Sequence, residues 1–459
     1  MHQSNELSEG QISHGGELVV PPGALDGVTI MRYADITRGR ASGGVEQYLR
    51  HLDHGLLQRH RLTVLQTYMT TGDANEPIEI ENVGMGRILW VPVAIRQMGG
   101  VLTDQPRRMG ILCRRLLHLW HQEGKGHYRA KLSAIWSVLR HAEDHLRYKT
   151  AVLGDHLSQL LVTHNVDLLA LHWLNYDTGP LISRAGRAGI PYVFINHFSN
   201  TRFSMRLTRK WITNAAALGG VSDEGIPDFI RTQFVNLSDA VDTEFFSPES
   251  AQPAGRSLHP LVLLPGRIEH GKGHHDLIEV ARLLKTKNPD FLLCFAGAVE
   301  SEPLHQELRK SAAVMGLEGR VLFLGERSPA EIRDWYAKSS VVVLPTYSEG
   351  LGRVLLEAQA MKKPVVAYES GGTCRALLSD ETGFLVKTGD VNALAAKISR
   401  LLENDEERIR MGERGREFVS ARFSLAALIQ RHEAFYLSVL ASGRAKRNRT
   451  VVRGRSTVE

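Results

Sequence analysis

Short apolar runs recur along this 459-residue chain at intervals that leave room for one helix between neighbours. The first strand candidate is Gly27–Tyr33, which runs into the glycine-bearing stretch 38–44 and then a helical pattern opening at Val45. Further strands are expected at 62–65, 87–93, 167–171 and 192–195. The last follows a helix that should stop near Gly189-Ile190-Pro191, where Gly and Pro act as stop signals. A second, more regular series predicts strands at 261–265, 291–296, 321–324, 340–344 and 364–368. Helices fall between and after them at 275–286, 302–315, 329–338, 352–361 and 391–402. Strands separated by helices predict parallel sheets covered on both faces, so the expected fold class is α/β with two Rossmann-like doubly wound domains.

Two stretches break this rhythm. In 96–150, Leu132, Ile135, Trp136 and Leu139 share one helical face and read as part of a helical insertion. A polar, Pro-containing stretch at 247–259 reads as a linker. The expected division is a flexible 1–25, an N-terminal domain at 26–246, the linker, and a C-terminal domain at 260–424. A helix at 425–441 should return toward the N-terminal domain, and 442–459 should be a basic, disordered tail.

Candidate chemistry sits where strands meet loops. Val341–Leu344 leads into Pro345-Thr346-Tyr347-Ser348-Glu349-Gly350-Leu351-Gly352-Arg353, and Glu357 follows on the helix. Glycines let a ligand approach backbone, and a helix N-terminus offers unpaired N–H groups to an anion. Two carboxylates eight residues apart can face one cleft and accept hydrogen bonds from hydroxyls, in which sugars and ribose are rich. Taken alone, Glu349 could equally be a cap and Glu357 a solvated helix residue. The other segment is Leu261–Pro265 followed by Gly266-Arg267 and Lys272-Gly273. Fixed cations and N–H groups there could stabilise a departing diphosphate. It is not a Walker loop, since G-x-x-x-x-G-K-[ST] is absent, and by itself it could be an ordinary turn with surface cations.

In their order these segments resemble the large retaining glycosyltransferase family called family 4 (glycosyl transferases group 1), of GT-B fold. The matching features are Gly43-Gly44-Val45-Glu46, Gly189-Ile190-Pro191 leading to His197, Asp242 before Phe245-Phe246, Gly266-Arg267 with Lys272-Gly273, and Leu324-Gly325. Glu349 and Glu357, Pro364–Ala367, Gly371-Gly372-Thr373 and Thr382–Val386 complete the set. The resemblance implies that the two domains face each other across a cleft. It implies that Glu357 binds the nucleotide ribose and that Glu349 holds donor-sugar hydroxyls, near the backbone of Gly350, Leu351, Gly352 and Arg353. Arg267 and Lys272 would bind the diphosphate, Gly43 and Gly44 would approach the phosphate from the opposite domain, and His197 would reach the donor sugar. The base would lie against Glu326 and Arg327. Two departures stand out: Ser238-Asp239-Ala240 precedes Val241-Asp242 where the family often has Asn-Gly, and Cys374-Arg375 replaces the usual Pro-Glu.

The function implied is a retaining glycosyltransferase (EC 2.4) moving a hexose-type sugar from a nucleotide-diphosphate-sugar to a glycan, lipid-linked or small-molecule acceptor, in surface or extracellular polysaccharide synthesis. Alternatives are a nucleotide-sugar epimerase or hydrolase on the same fold, or a non-catalytic polysaccharide-synthesis subunit. No cofactor and no metal are expected, since no H-E-x-x-H or strand-following D-x-D occurs. His270, His274 and His275 could bind a transition metal or be plain exposed histidines. The three cysteines are far apart and read as buried free thiols.

Charge changes one part of the picture. The net +6 is concentrated in 96–149, with eleven Lys/Arg against four Asp/Glu, and in 442–459, with six against one. Either segment could touch an anionic membrane, while no nucleic-acid partner is expected. With no apolar run of spanning length and a polar N-terminus, the expected location is cytoplasmic, with possible peripheral contact on the inner face of the cell membrane.

Overall fold

The computed structural model of the chain describes residues 20–33, 44–70, 77–94, 157, 159–172, 178–197, 211–221, 231, 233–251, 259–287 and 290–455. The helical insertion expected at 96–150, the segment 1–19 and Gly43 lie outside these residues.

Two sheets organise the described chain. The first comprises β1 (Thr29–Tyr33), β2 (Thr63–Thr70), β3 (Glu79–Val83), β4 (Gly86–Ala94), β5 (Leu168–Leu171), β6 (Tyr192–Asn196), β7 (Ala217–Gly220) and β8 (Phe234–Asn236), in the order β3-β4-β2-β1-β5-β6-β7-β8. All pairs are parallel except β3–β4, a hairpin at the edge. The second comprises β9 (Leu261–Pro265), β10 (Leu292–Ala296), β11 (Val321–Gly325), β12 (Val341–Leu344), β13 (Val365–Tyr368) and β14 (Gly383–Val386), in the order β11-β10-β9-β12-β13-β14. Its described pairs are all parallel. The central strands are apolar throughout because helices cover both faces, which is what buries Leu261–Leu264 and Val341–Leu344 completely.

Helices connect these strands and end where local chemistry stops them. Helix α1 (Gly44–Arg59) follows β1, and α2 (Thr178–Arg187) precedes β6. In the second half α3 (His274–Leu284), α4 (Glu302–Val314), α5 (Pro329–Lys338), α6 (Arg353–Ala360), α7 (Thr373–Ala376), α8 (Val391–Glu403) and α9 (Asp405–Arg422) follow in turn. Ser328 and Glu331 form a reciprocal capping box on α5 with Pro329 in its first turn, and Ser301 caps α4.

The lobes are stitched by two adjacent crossings. Val241 bridges Ser424, its N–H donates to the Phe423 carbonyl at 2.8 Å, and Val241 and Phe246 are already buried with the second sheet. The chain therefore changes lobes ahead of the linker expected at 247–259, where Pro248–Ser250 is a single 3-10 turn. Apolar Phe245 and Phe246 drive this, because they pack on the second lobe whatever the polarity of the residues that follow.

After the second crossing, helix α10 (Leu425–Arg455) buries Leu428, Phe435, Tyr436 and Val439 against the first sheet and α1. Buried Glu433 accepts from Arg59 at 2.6 Å and pairs with His60 at 2.7 Å. The helix runs through most of the segment whose composition predicts disorder from 442. Ala, Arg and Lys are good helix formers, so a helix already nucleated by its packed N-terminal half can propagate through them. Among the described residues no helix is long and apolar enough to cross a membrane.

Candidate active site

In the second sheet the strand order reverses at β9, which lies between β10 and β12, and a crevice opens outside the carboxyl ends of such strands. The loops leaving β9 and β12 are locked together there. Gly273 has φ +76, and a Cβ on it would lie 2.1 Å from the Pro345 carbonyl oxygen, so only glycine allows the loops to touch. The Tyr347 N–H donates to the Gly271 carbonyl at 2.8 Å, and the Tyr347 and Tyr368 hydroxyls both donate to Asp276, at 2.9 and 2.7 Å. This contact brings Lys272 Nζ to 2.9 Å from Glu349 Oε2, with both side chains about three-quarters buried.

Helix α6 begins one turn beyond Glu349. Its N-cap, Gly352, is left-handed (φ 81) and supplies no side-chain cap, and the Leu355 N–H donates back to the Gly352 carbonyl at 2.8 Å. Arg353 Nε lies 3.7 Å from Asp239 Oδ2, an ion pair that reaches the crossing segment. Glu357 accepts from the Tyr336 hydroxyl at 2.8 Å. Burial pushes the Glu357 carboxyl up, opposed by Arg353 and by the Tyr336 hydrogen bond, and burial beside Glu357 pushes Tyr336 well above its usual range.

A cavity of about 480 Å³ opens beside these groups. From the second lobe Gly266, Glu326, Arg327, Arg353 and Glu357 line it, and from the first lobe Gln47, Arg50 and His51 of α1. Burial, then Arg353, lowers the His51 pKa. Arg267 is not in this wall. Its side chain is 59% exposed and lies 3.2 Å from Glu269 and 3.7 Å from Glu300, and Lys272 and Glu349 are likewise outside this lining.

The first lobe presents His197 at the end of β6. Its Nε2 is 2.8 Å from His172 Nδ1, the rings stack at 19°, and Tyr48 meets the His197 ring edge-on at 4.8 Å. Burial, then Arg32, pushes His197 down to about 3, so the imidazole is neutral at ordinary pH. With Nε2 engaged by His172, Nδ1 is the nitrogen left to meet a ligand. Below, His432 Nδ1 donates to the Leu428 carbonyl at 3.0 Å, which leaves its Nε2 to accept from Tyr48 at 2.7 Å. The His197 carbonyl lies 3.9 Å from where a Cβ on Gly350 would stand, which marks how closely the lobes approach. Of the expected glycine loop only Gly44 is described, as the first residue of α1.

Several of these residues escaped the sequence reading. His172 ends β5 as His197 ends β6, so the same signal was available for it. Gln47, Arg50 and His51 share one helical face, but nothing in the pattern says that this face borders a cavity. Asp239 carried no signal beyond its place in an atypical turn, where Ser238 adopts φ +54. Of the histidine cluster, His270 and His275 are exposed, whereas His274 is buried edge-on against Phe295 at 5.1 Å, and burial lowers it to about 4. Among the described residues no three His, Cys, Asp or Glu side chains converge on a metal position. Cys294 is buried, with burial pushing its thiol up to about 12, whereas Cys374 is exposed.

Residues 248–418 match the family model for glycosyl transferases group 1. D-inositol 3-phosphate glycosyltransferase of Corynebacterium glutamicum is 32% identical over 218 residues, covering 45% of this chain and 52% of that protein. The chain thus spans about half the length of the curated relatives it matches. Among solved structures, a glycosyltransferase from Rickettsia africae aligns with a TM-score of 0.65 at 17% identity, covering 90% of this chain and 98% of that one. HepE of Anabaena, solved in complex with UDP, aligns at 0.63 and 17% identity, covering 90% and 100%. At that identity the likeness concerns fold, and the fold is the GT-B arrangement of two facing doubly wound lobes.

Proposed function

We propose that this chain, whose residues 248–418 match the glycosyl transferases group 1 model, is a retaining glycosyltransferase using a nucleotide-diphosphate-sugar. Two observations support the reading: an ion pair at the loops that follow β9 and β12, and a cavity lined by residues that leave the same strands. Lys272 and Glu349 stand 2.9 Å apart at the β9 and β12 loops, and Glu357, Glu326 and Gly266 line the neighbouring cavity.

Each group has a role its chemistry suits. Glu357 offers a half-buried carboxylate to ribose hydroxyls, with Tyr336 holding it in place. Glu326 and Arg327 border the space for the base. The positive end of the α6 dipole and the Lys272 ammonium face the diphosphate, whose negative charge grows as the anomeric bond breaks. Glu349 is shared: it pairs with Lys272 at 2.9 Å and accepts from sugar hydroxyls when the diphosphate draws Lys272 away. Neutral His197 can hydrogen-bond the sugar but cannot contribute a positive charge.

The acceptor hydroxyl then attacks the anomeric carbon on the face the diphosphate leaves, the departing phosphate oxygen takes its proton, and the anomeric configuration is kept. The acceptor is a hydroxyl of a glycan, a lipid-linked sugar or a small molecule in surface polysaccharide synthesis, and peripheral contact with an anionic membrane at the inner face of the cell membrane would suit it.

A thermal-shift panel of UDP-, GDP- and ADP-sugars tests the donor class. Ligand at a hundred times its dissociation constant stabilises by about 2.7 kcal/mol, a shift of several degrees. No shift with any of the three refutes the reading, and epimerised product without acceptor replaces transfer by isomerisation.

A further inference from the structure

Helix α7 begins where the chain carries Cys374-Arg375, and Arg375 reaches both lobes. Its Nη2 lies 3.2 Å from the Val221 carbonyl oxygen, just beyond β7 in the first sheet, and 3.5 Å from the Gly350 carbonyl oxygen in the turn after Glu349. The neighbouring peptide is held from the same side, since the Gly372 N–H donates to the Glu349 carbonyl at 2.9 Å. A Cβ on Gly372 would lie 1.7 Å from the Gly350 oxygen, so this approach needs glycine. Successive carbonyls, of Glu349 and Gly350, therefore both point at the 372–375 segment. In a trans peptide the N–H points opposite its carbonyl, so the amides of Gly350 and Leu351 are turned away from that segment. The Gly350 N–H lies 3.2 Å from its neighbour's Glu349 Oε1, on the carboxylate's side.

We propose that Arg375 is a positioning residue that ties the 349–350 turn to the edge of the first lobe and sets the direction of its amides. A guanidinium suits this role because its donors are fixed in a planar fork, and charged donors make the stronger hydrogen bonds to carbonyls. The consequence for catalysis rests on the function proposed above: the turn is preorganised only when the lobes stand at this separation. Loss of the tie would release the turn and the lobe edge together.

Hydrogen exchange measured by NMR or mass spectrometry on the full ligand-free chain tests this without any substrate. Arg375→Met keeps the stem and removes the donors. It should speed exchange at the Gly372 and Val221 amides about tenfold, the effect of losing one charged hydrogen bond, while the Leu293 and Val342 amides of the second sheet stay unchanged. Arg375→Ala should do the same. Wild-type exchange at Gly372 and Val221 in Arg375→Met, or acceleration at only one of them, overturns the tie. Titration of the same proteins with UDP, GDP and ADP separates the two failures. Nucleotide binding with silent exchange sinks the tie alone, and accelerated exchange without nucleotide binding sinks the functional reading alone.

Discussion

Replacing Lys272 by Met should separate activity from stability. The ammonium lies 2.9 Å from Glu349 Oε2, and both side chains are about a fifth exposed. At an effective dielectric near 20 the bare attraction is about 6 kcal/mol. Solvent screening and the entropy of fixing a long side chain reduce the net value to about 1 kcal/mol. The variant should therefore melt within a few degrees of wild type. The reacting complex is different, because there the cation faces charge that develops only as the bond breaks. Losing one such preorganised contact costs about 3–4 kcal/mol, or 10²–10³ in turnover. The assay is initial-rate nucleotide release from whichever sugar donor the thermal-shift panel identifies, beside a thermal melt of each protein. Turnover within threefold of wild type, or a loss of activity matched by a comparable loss of folding, would refute the assignment of Lys272 to the diphosphate.

Other variants probe separate parts of the account. Tyr336→Phe leaves half-buried Glu357 without the hydroxyl that orients it, so nucleotide affinity by calorimetry should fall about tenfold. His432 is held near 3 by burial, against 6.5 in the unfolded chain, so the unfolded state takes up a proton that the folded state refuses. Its contribution is full above about pH 6.5 and is lost as pH falls toward 3, at up to about 1.4 kcal/mol per unit. Denaturant titrations between pH 4.5 and 6.5 should show a shallower pH slope in His432→Asn, and an unchanged slope would contradict the buried, neutral assignment. Gly273→Ala should destabilise more than Gly271→Ala, since both have positive φ but only at 273 would the new Cβ strike backbone, 2.1 Å away. Equal melting of the two variants would remove the steric argument for the loop contact.

The second lobe was legible because its central strands are buried on both faces and therefore read as unbroken apolar runs. Gly350–Gly352 announced the start of α6. Strand β3 was not legible: its residues are almost all exposed, so pairing with β4 and not burial makes it a strand. Strands β7 and β8 are four and three residues long, too short to show a period.

The site divides in the same way. Glu349, Lys272 and Glu357 follow from their places at strand ends and on one helix. The orientation of Arg267 does not, because Glu269, two residues away, competes for it. Partners far apart in sequence arise only from tertiary packing: His172 meets His197 because β5 and β6 pair, Tyr48 meets His432 because α10 packs on α1, and Arg375 meets Val221 where one lobe approaches the other. The Cys374-Arg375 departure was visible as an anomaly, but its use as a link between lobes needed the coordinates.

The most direct test of the cleft is calorimetric titration of UDP, GDP and ADP into the wild-type chain and into Glu357→Gln. One of the three should bind at a single site in the wild type and weaken by at least tenfold in the variant. Binding that ignores the substitution would place the nucleoside elsewhere and contradict the account.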